Sequence, residues 1–296
     1  MPRPTTSFTH LAGVPVHYDR LPAPHHYGTR GQARTFYCEQ RFINALEDAF
    51  RELWDVCPHG QAQVITSAGA YVDKGGQHGA GRAFDLDGIF WRDRTFITNE
   101  YPDDSRFYVA AEAVLRKHFG VILNYEWNRA HHDHFHLDQS ISVGYRTNKN
   151  TTLFVQMALR HVLGQPTVTI DGNSGSGTRG GLRAVLPALG LARVHEIDTS
   201  AKLAQKMQDI WLEFCDRVAA RGFQQPAASQ PADARPPAPA PGAPDADDRE
   251  NLRTAPTPLE TGQPTPALAM SRQLTYRIDG VWQVLAGVRR SRLPEE

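Results

Sequence analysis

Apolar side chains recur at helical spacing in two stretches of the first half of the chain. The first stretch covers residues 35–60, and the second runs from Ser105 to His118 with Ser105 as its N-cap. Shorter runs that are apolar, or that alternate between apolar and polar residues, predict strands at 63–66, 82–87, 121–125 and 135–137. The pattern therefore predicts helices interspersed with short strands, and a Gly-rich loop over residues 71–81.

These elements predict an α+β fold in which helices flank an antiparallel sheet. The connecting loops are short, whereas parallel neighbours need a crossover of a dozen or more residues. We assign this fold to residues 35–149 and treat residues 1–34 as an N-terminal extension.

Three further helical patterns follow, over residues 153–162, 178–186 and 200–214. A strong turn at residues 171–175 separates the first two, and a polar cap precedes the third. Three amphipathic helices in so short a stretch predict a separate three-helix domain over residues 150–223.

The composition changes abruptly after this helical region. Proline and alanine dominate residues 224–270, and such a segment buries too little apolar surface to fold, so we predict a disordered linker. The last residues, 271–296, alternate around Asp279-Gly280 and predict a pair of strands, which we interpret as a docking tail.

Composition and charge exclude several classes of protein. The chain has 296 residues, of which 40% are hydrophobic, and its 32 basic and 32 acidic residues balance, so a uniformly basic nucleic-acid binder is not expected. No apolar run approaches the ~20 residues of a membrane span, and residues 1–30 lack the apolar region of a Sec signal. The cysteines leave two alternatives open, a Cys38–Cys57 disulfide in an oxidising compartment or buried thiols.

The histidines predict a metal site. Four of the thirteen lie within residues 131–136, and upstream His78 precedes Asp85 in a segment whose glycines let the chain turn back. In an extended strand His134 and His136 project to one side, while the phenylalanine between them faces the core. Imidazole and carboxylate are the donors that zinc prefers, and a catalytic zinc keeps three protein ligands and one open position.

The same residues resemble a known group of enzymes. The His-x2-Gly-x-Ala-x-Asp motif at residues 78–85 and the His-x-His motif at 134–136 resemble those of zinc peptidases typified by D-alanyl-D-alanine carboxypeptidases and penicillin-insensitive murein endopeptidases. Within that group, residues 81–85 and 131–138 are most similar to extensin-like C-terminal domains. The resemblance implies Zn²⁺ as cofactor, with His78, Asp85 and His136 as its ligands.

The resemblance also implies roles for neighbouring residues. Asp133 matches the position of a general base, and His131 is the second choice for that role. His134 is expected to stabilise the oxyanion. Arg82 and Lys74 are candidates for binding a substrate carboxylate.

The helical region carries a second resemblance. Residues 155–159 and the Ile-Asp-Gly-x2-Gly-x2-Thr-Arg run at residues 170–179 are similar to the three-helix peptidoglycan-binding module. This similarity implies peptidoglycan as a partner, held near the active site by tethering.

Together these features predict a zinc-dependent peptidoglycan peptidase, either an endopeptidase or a carboxypeptidase, that hydrolyses stem-peptide or cross-link amide bonds. Two alternatives are a non-catalytic peptidoglycan-binding protein and a zinc amidase that cuts the sugar–peptide bond. Mass spectrometry separates the amidase, because only that enzyme frees whole stems from the glycan.

The expected location follows from the substrate, which lies outside the cytoplasm. A chain made in the cytoplasm without a Sec signal must reach the periplasm or cell wall by another route. We expect a phage lysin or, preferably, an antibacterial effector delivered into a target cell. The linker and tail would then dock onto a component of a secretion machine, and an immunity protein would be a further partner.

Overall fold

The centre of the fold is an eight-stranded sheet flanked by helices. The computed structural model describes residues 3–224, 275–278 and 281–284. The first ten strands are β1 (Ser7–Phe8), β2 (His10–Leu11), β3 (Val14–Tyr18), β4 (Gln32–Ala33), β5 (Phe36–Tyr37), β6 (Val64–Gly69), β7 (Ala83–Phe90), β8 (Thr95–Ile97), β9 (Val121–Leu123) and β10 (Phe135–Asp138). The sheet has the order β2-β3-β6-β7-β10-β9, with β4 beside β3 and β8 beside β7, while β1 and β5 form a separate pair.

Most helices follow the predicted pattern, but Gly76–Gly79 form a short helix within the predicted loop over residues 71–81, and β5 occupies the start of the predicted helix over residues 35–60. The helices are α1 (Gln40–Val56), α2 (Gly76–Gly79), α3 (Ser105–Leu115), α4 (Lys149–Met157), α5 (Ser176–Ala188), α6 (Ser200–Asp209) and α7 (Trp211–Phe223). Helix α1 ends earlier than predicted, because Cys57 precedes Pro58 and the residue before a proline avoids helical angles. The helix predicted over residues 200–214 is divided at Ile210 between α6 and α7.

The α+β class is confirmed, with one correction to the sheet. Strands β3 and β6 pair in parallel, so the prediction of a purely antiparallel sheet is wrong at this point. The chain passes from β3 to β6 through α1, and this helix lies in the long crossover that a parallel pair requires.

Residues 1–34, predicted to be an extension, contribute strands to this sheet. Strand β3 lies between β2 and β6, and its Val14, Val16 and Tyr18 are buried. Hydrogen bonding in the sheet therefore begins well before residue 35, the predicted start of the folded domain.

The helices after residue 149 share a hydrophobic core with the sheet. Phe84 of β7, Phe135 of β10, Phe154 of α4 and Phe214 of α7 are all fully buried and belong to one cluster. The described residues 3–224 belong to a single compact unit. The helical region predicted as a separate domain is thus packed into the same core as the sheet.

A buried polar network crosses the predicted boundary at residues 149 and 150. Arg116 is 1% exposed, and its Nε and Nη2 donate to Oε1 of Glu112 at 3.0 and 2.8 Å. Its Nη1 donates to Oδ1 of Asn150 at 2.6 Å. Asn124 also donates to Glu112, at 3.0 Å. A charged group buried in this way is tolerated only while its partners remain in place, so α3 and α4 depend on each other.

The described residues of the C-terminal part belong to a second unit. Its strands β11 (Thr275–Ile278) and β12 (Val281–Val284) pair antiparallel, as the alternation around Asp279-Gly280 predicts. The predicted Pro/Ala-rich linker over residues 224–270 lies outside the described residues, apart from Gln224.

Two smaller predictions concern cysteines and membranes. Cys38, Cys57 and Cys215 are free and buried, which corresponds to the thiol alternative. Among the described residues, no helix has both the length and the apolar character needed to cross a bilayer.

Candidate metal centre and its acid–base neighbours

Two adjacent antiparallel strands, β7 and β10, bring the predicted ligands together. Asp85 lies directly across from His136 in the register. The residues that alternate with them, including Phe84 and Phe135, are fully buried. Because side chains alternate between the two faces of a strand, Asp85 and His136 share the face opposite this core.

His78 reaches the same face from the short helix α2. Its Nδ1 lies 2.5 Å from the carbonyl oxygen of Ala70. A carbonyl only accepts, so Nδ1 carries the proton and Nε2 keeps its lone pair. Gly79 permits this approach, since a Cβ there would lie 1.6 Å from the carbonyl oxygen of Lys74. Gly81 turns the chain toward β7 with a φ of +68°.

Three donor atoms converge at one point. The Nε2 of His78 is 3.1 Å from Nδ1 of His136 and 3.1 Å from Oδ2 of Asp85, and Nδ1 of His136 is 3.0 Å from Oδ1 of Asp85. The remaining nitrogen of His136, Nε2, lies 3.1 Å from Oδ2 of Asp138. The outer nitrogens of both rings thus face acceptors, so when both rings are neutral their two lone pairs point at each other beside a carboxylate.

This arrangement fits a divalent cation. A tetrahedral zinc with bonds of about 2.0–2.1 Å separates its ligand atoms by about 3.3 Å, close to the distances found here. A cation at this point would also remove the repulsion between the facing lone pairs. Within the described residues, His78, Asp85 and His136 are the group of side chains whose ligand atoms lie close enough to share one ion.

Without a metal, neighbouring charges set the protonation states of the donors. Burial raises the pKa of Asp85, but His78, His134 and His136 outweigh it and hold that pKa well below its usual range. Burial lowers the pKa of His136, but hydrogen bonds to Asp138 and Asp85 raise it to about 9. His136 is therefore a strongly basic ligand, and metal binding would displace its proton.

His134 and Asp133 form a hydrogen-bonded pair beside these donors. The Nδ1 of His134 lies 2.8 Å from Oδ1 of Asp133, while its Nε2 lies 3.7 Å from Oδ1 of Asp85. The second oxygen of Asp133, Oδ2, accepts from Nη1 of Arg20 at 2.7 Å. Burial raises the pKa of Asp133, but His134 and Arg20 outweigh it and lower that pKa far below its usual range.

The other histidines of the run differ in position. The ring of His131 lies 5.1 Å from that of His134, and its Nδ1 is 2.7 Å from Oδ1 of Asn128. Burial lowers the pKa of His131 to about 4, with His134 adding to the effect, so its ring is neutral at pH 7. His132 stacks on Tyr125 with ring centroids 4.2 Å apart.

The two predicted substrate-binding cations lie apart from the donors. Arg82 pairs with Glu39, its Nε donating to Oε2 at 2.9 Å, and its side chain is exposed. Lys74 is exposed in the loop before α2, and its backbone carbonyl packs against Gly79. Neither side chain has a described contact with the three donors.

Sequence patterns did not indicate Arg20. This residue follows β3 in the segment predicted to be an extension, and it contacts both Asp87 and Asp133. Only the alternating pattern of β3 was available as a signal, and it predicts a strand rather than a site.

Substituting Gly79 should displace His78 and weaken metal binding. In Gly79→Ala the new methyl group would overlap the Lys74 carbonyl, so α2 has to move. We expect the free energy of unfolding to fall by about 1–3 kcal/mol and zinc affinity to fall roughly tenfold to a hundredfold. Thermal unfolding and competition with a chelator measure the two effects.

The matched control is Gly75→Ala, which meets open space at a φ of −66° and should behave as wild type. Equal zinc affinity in both variants would contradict the assignment of His78.

Comparison with known proteins supports part of the predicted resemblance. Residues 64–148 match the family model described as the extensin-like protein C-terminus. The matched segment runs from β6 to the residue before α4 and includes all three donors together with Asp133 and His134. Neither a curated protein nor a solved structure matches the chain. The extensin-like part of the prediction is therefore confirmed for this segment.

Proposed function

We propose that this protein is a zinc-dependent peptidase that hydrolyses amide bonds in the stem peptides or cross-links of peptidoglycan. The observation that carries the proposal is the convergence of His78, Asp85 and His136 beside the Asp133–His134 pair. Such a combination of three metal donors with an adjacent acid–base group is the arrangement that metal-assisted hydrolysis requires.

The donors have defined tasks in this proposal. His78, Asp85 and His136 would hold the zinc, and Asp138 orients His136 through Nε2. When bound, zinc supplies a water of lowered pKa and polarises the carbonyl of the scissile bond. The carbonyl of Ala70 keeps the proton of His78 on Nδ1, so Nε2 remains free to bind.

For proton transfer we propose His134 in place of Asp133. Both oxygens of Asp133 are engaged, one by Arg20 and one by His134, and its lowered pKa makes it a weak base. Burial lowers the pKa of His134, but Asp85 and Asp133 raise it above its usual value, which makes the ring a stronger base than Asp133. In the neutral ring the proton lies on Nδ1, where it bonds to Asp133, and the lone pair of Nε2 faces the donors. Asp133 then orients the base rather than acting as the base. His131, neutral at pH 7, is the second candidate.

The substrate class rests on the extensin-like match and on the resemblance to wall peptidases. The groups that would bind substrate remain predictions. Lys74 lies in the loop just before α2, and Arg82 donates to Glu39. The role of the helical region in binding peptidoglycan, and delivery into a target cell through the C-terminal segment, are likewise predictions.

Digestion of defined muropeptides by the zinc-loaded protein tests the proposal. We expect mass spectrometry to show shortened stems or separated cross-links, and we expect chelation to stop the reaction. Whole stems released from the glycan would instead identify an amidase. Bound zinc without any cleavage would favour a non-catalytic peptidoglycan-binding protein.

A further inference from the structure

Arg20 lies next to the candidate site, and its guanidinium hydrogen-bonds to two carboxylates. Its Nε and Nη2 donate to the two oxygens of Asp87, both at 2.9 Å, and its Nη1 donates to Asp133 at 2.7 Å. Only 15% of the side chain is exposed. The ring of Tyr27 lies 4.7 Å from the guanidinium carbon. Such a bidentate and stacked environment suits arginine and not lysine.

These contacts determine which oxygen of Asp133 bonds to His134. Arg20 occupies Oδ2 of Asp133, which leaves Oδ1 for Nδ1 of His134 at 2.8 Å. An ionised carboxylate only accepts, so the proton of His134 must lie on Nδ1. In the neutral ring the lone pair of His134 is then on Nε2, which faces Asp85 at 3.7 Å.

The chain of contacts is anchored by the buried side chain of Asp87. Asp87 lies two residues after Asp85 on β7 and is completely buried. Its backbone carbonyl accepts from Thr98 at 2.9 Å, and Thr98 lies 3.3 Å from the hydroxyl of Tyr27. The guanidinium is thus held between a strand of the metal centre and the loop that follows β3.

We propose that Arg20 is a positioning residue, which fixes the proton of His134 on Nδ1 through Asp133 and so keeps Nε2 available for proton transfer. This inference rests on the proposed peptidase function. It makes the N-terminal segment part of the catalytic unit, although Arg20 lies outside the segment that matches the extensin-like family.

A purely structural role is the competing explanation, because loss of Arg20 would leave the carboxylate of Asp87 buried without its partner. The test therefore uses two variants. The double variant Arg20→Met with Asp87→Leu removes both charges together, so the carboxylate of Asp87 is not left buried without its partner. The single variant Arg20→Lys keeps a positive charge but cannot bond both carboxylates in the same geometry.

The readouts are the ring-nitrogen chemical shifts of His134 in ¹⁵N-labelled full-length protein, together with zinc content, kcat and KM. In the neutral ring of wild-type His134 we expect the proton on Nδ1. In both variants we expect a mixture of tautomers, full zinc content, a nearly unchanged KM and a kcat lowered roughly tenfold to a hundredfold. Arg20→Lys should lose less than the double variant.

The outcomes are decisive in either direction. A folded variant that keeps the proton of His134 on Nδ1 would overturn the proposal, as would a wild-type protein with that proton on Nε2. If the double variant does not fold, Arg20→Lys decides by the same two measurements. If wild type shows no hydrolysis, the proposed function fails, whereas the tautomer of His134 still tests the role of Arg20.

Discussion

Replacing His136 by alanine is expected to abolish both zinc binding and hydrolysis of peptidoglycan peptides. The substitution removes one of three donors, together with the ring that Asp138 orients, and leaves His78 and Asp85 as a two-ligand site. Loss of a Lewis acid costs several kcal/mol of transition-state stabilisation, so kcat/KM should fall at least about a thousandfold. Metal analysis of the purified protein and the rate of muropeptide cleavage measure the two effects.

The matched control comes from the same run of histidines. His132 stacks on Tyr125, and His132→Ala should retain the metal content and cleavage rate of wild type. Full zinc content in His136→Ala would show that the ligands have been assigned wrongly. Unchanged hydrolysis in His136→Ala would contradict the proposed function itself.

A fragment that ends at residue 149 should not fold cooperatively. It lacks Asn150, which accepts from Arg116, and it lacks Phe154 and Phe214 of the shared core. Disrupting a buried charge network costs about 3–5 kcal/mol, and typical domains are stable by only about 5–15 kcal/mol. The lost apolar packing adds to this cost. Thermal unfolding followed by circular dichroism should show no sharp transition.

A fragment of residues 1–224 provides the comparison, because it contains the described sheet and all helices that pack on it. We expect it to unfold in one sharp transition and to bind zinc. A fragment of residues 1–149 that did the same would establish an independent domain with the boundary predicted from the helical pattern.

Local rules predict a metal site that includes one histidine of the His134/His136 pair, and the family resemblance assigns His78, Asp85 and His136 as its donors. The alternation of a strand puts His134, His136 and Asp138 on one face, and the same rule applies to Asp85 and Asp87. The sequence could not assign their tasks. Asp133 has the spacing of a general base, yet both its oxygens are occupied by groups whose positions depend on the folded chain.

Helix and strand positions follow from periodicity, since burial of one face selects apolar residues at regular intervals. Which strands pair, and whether consecutive helices form one core or two, depends on contacts between distant parts of the chain. Arg20 and Asp133 are 113 residues apart, and Arg116 and Asn150 are 34 apart. No local pattern records such pairs, so the N-terminal strands, the shared core and the support of His134 by Arg20 emerge only when the chain is folded.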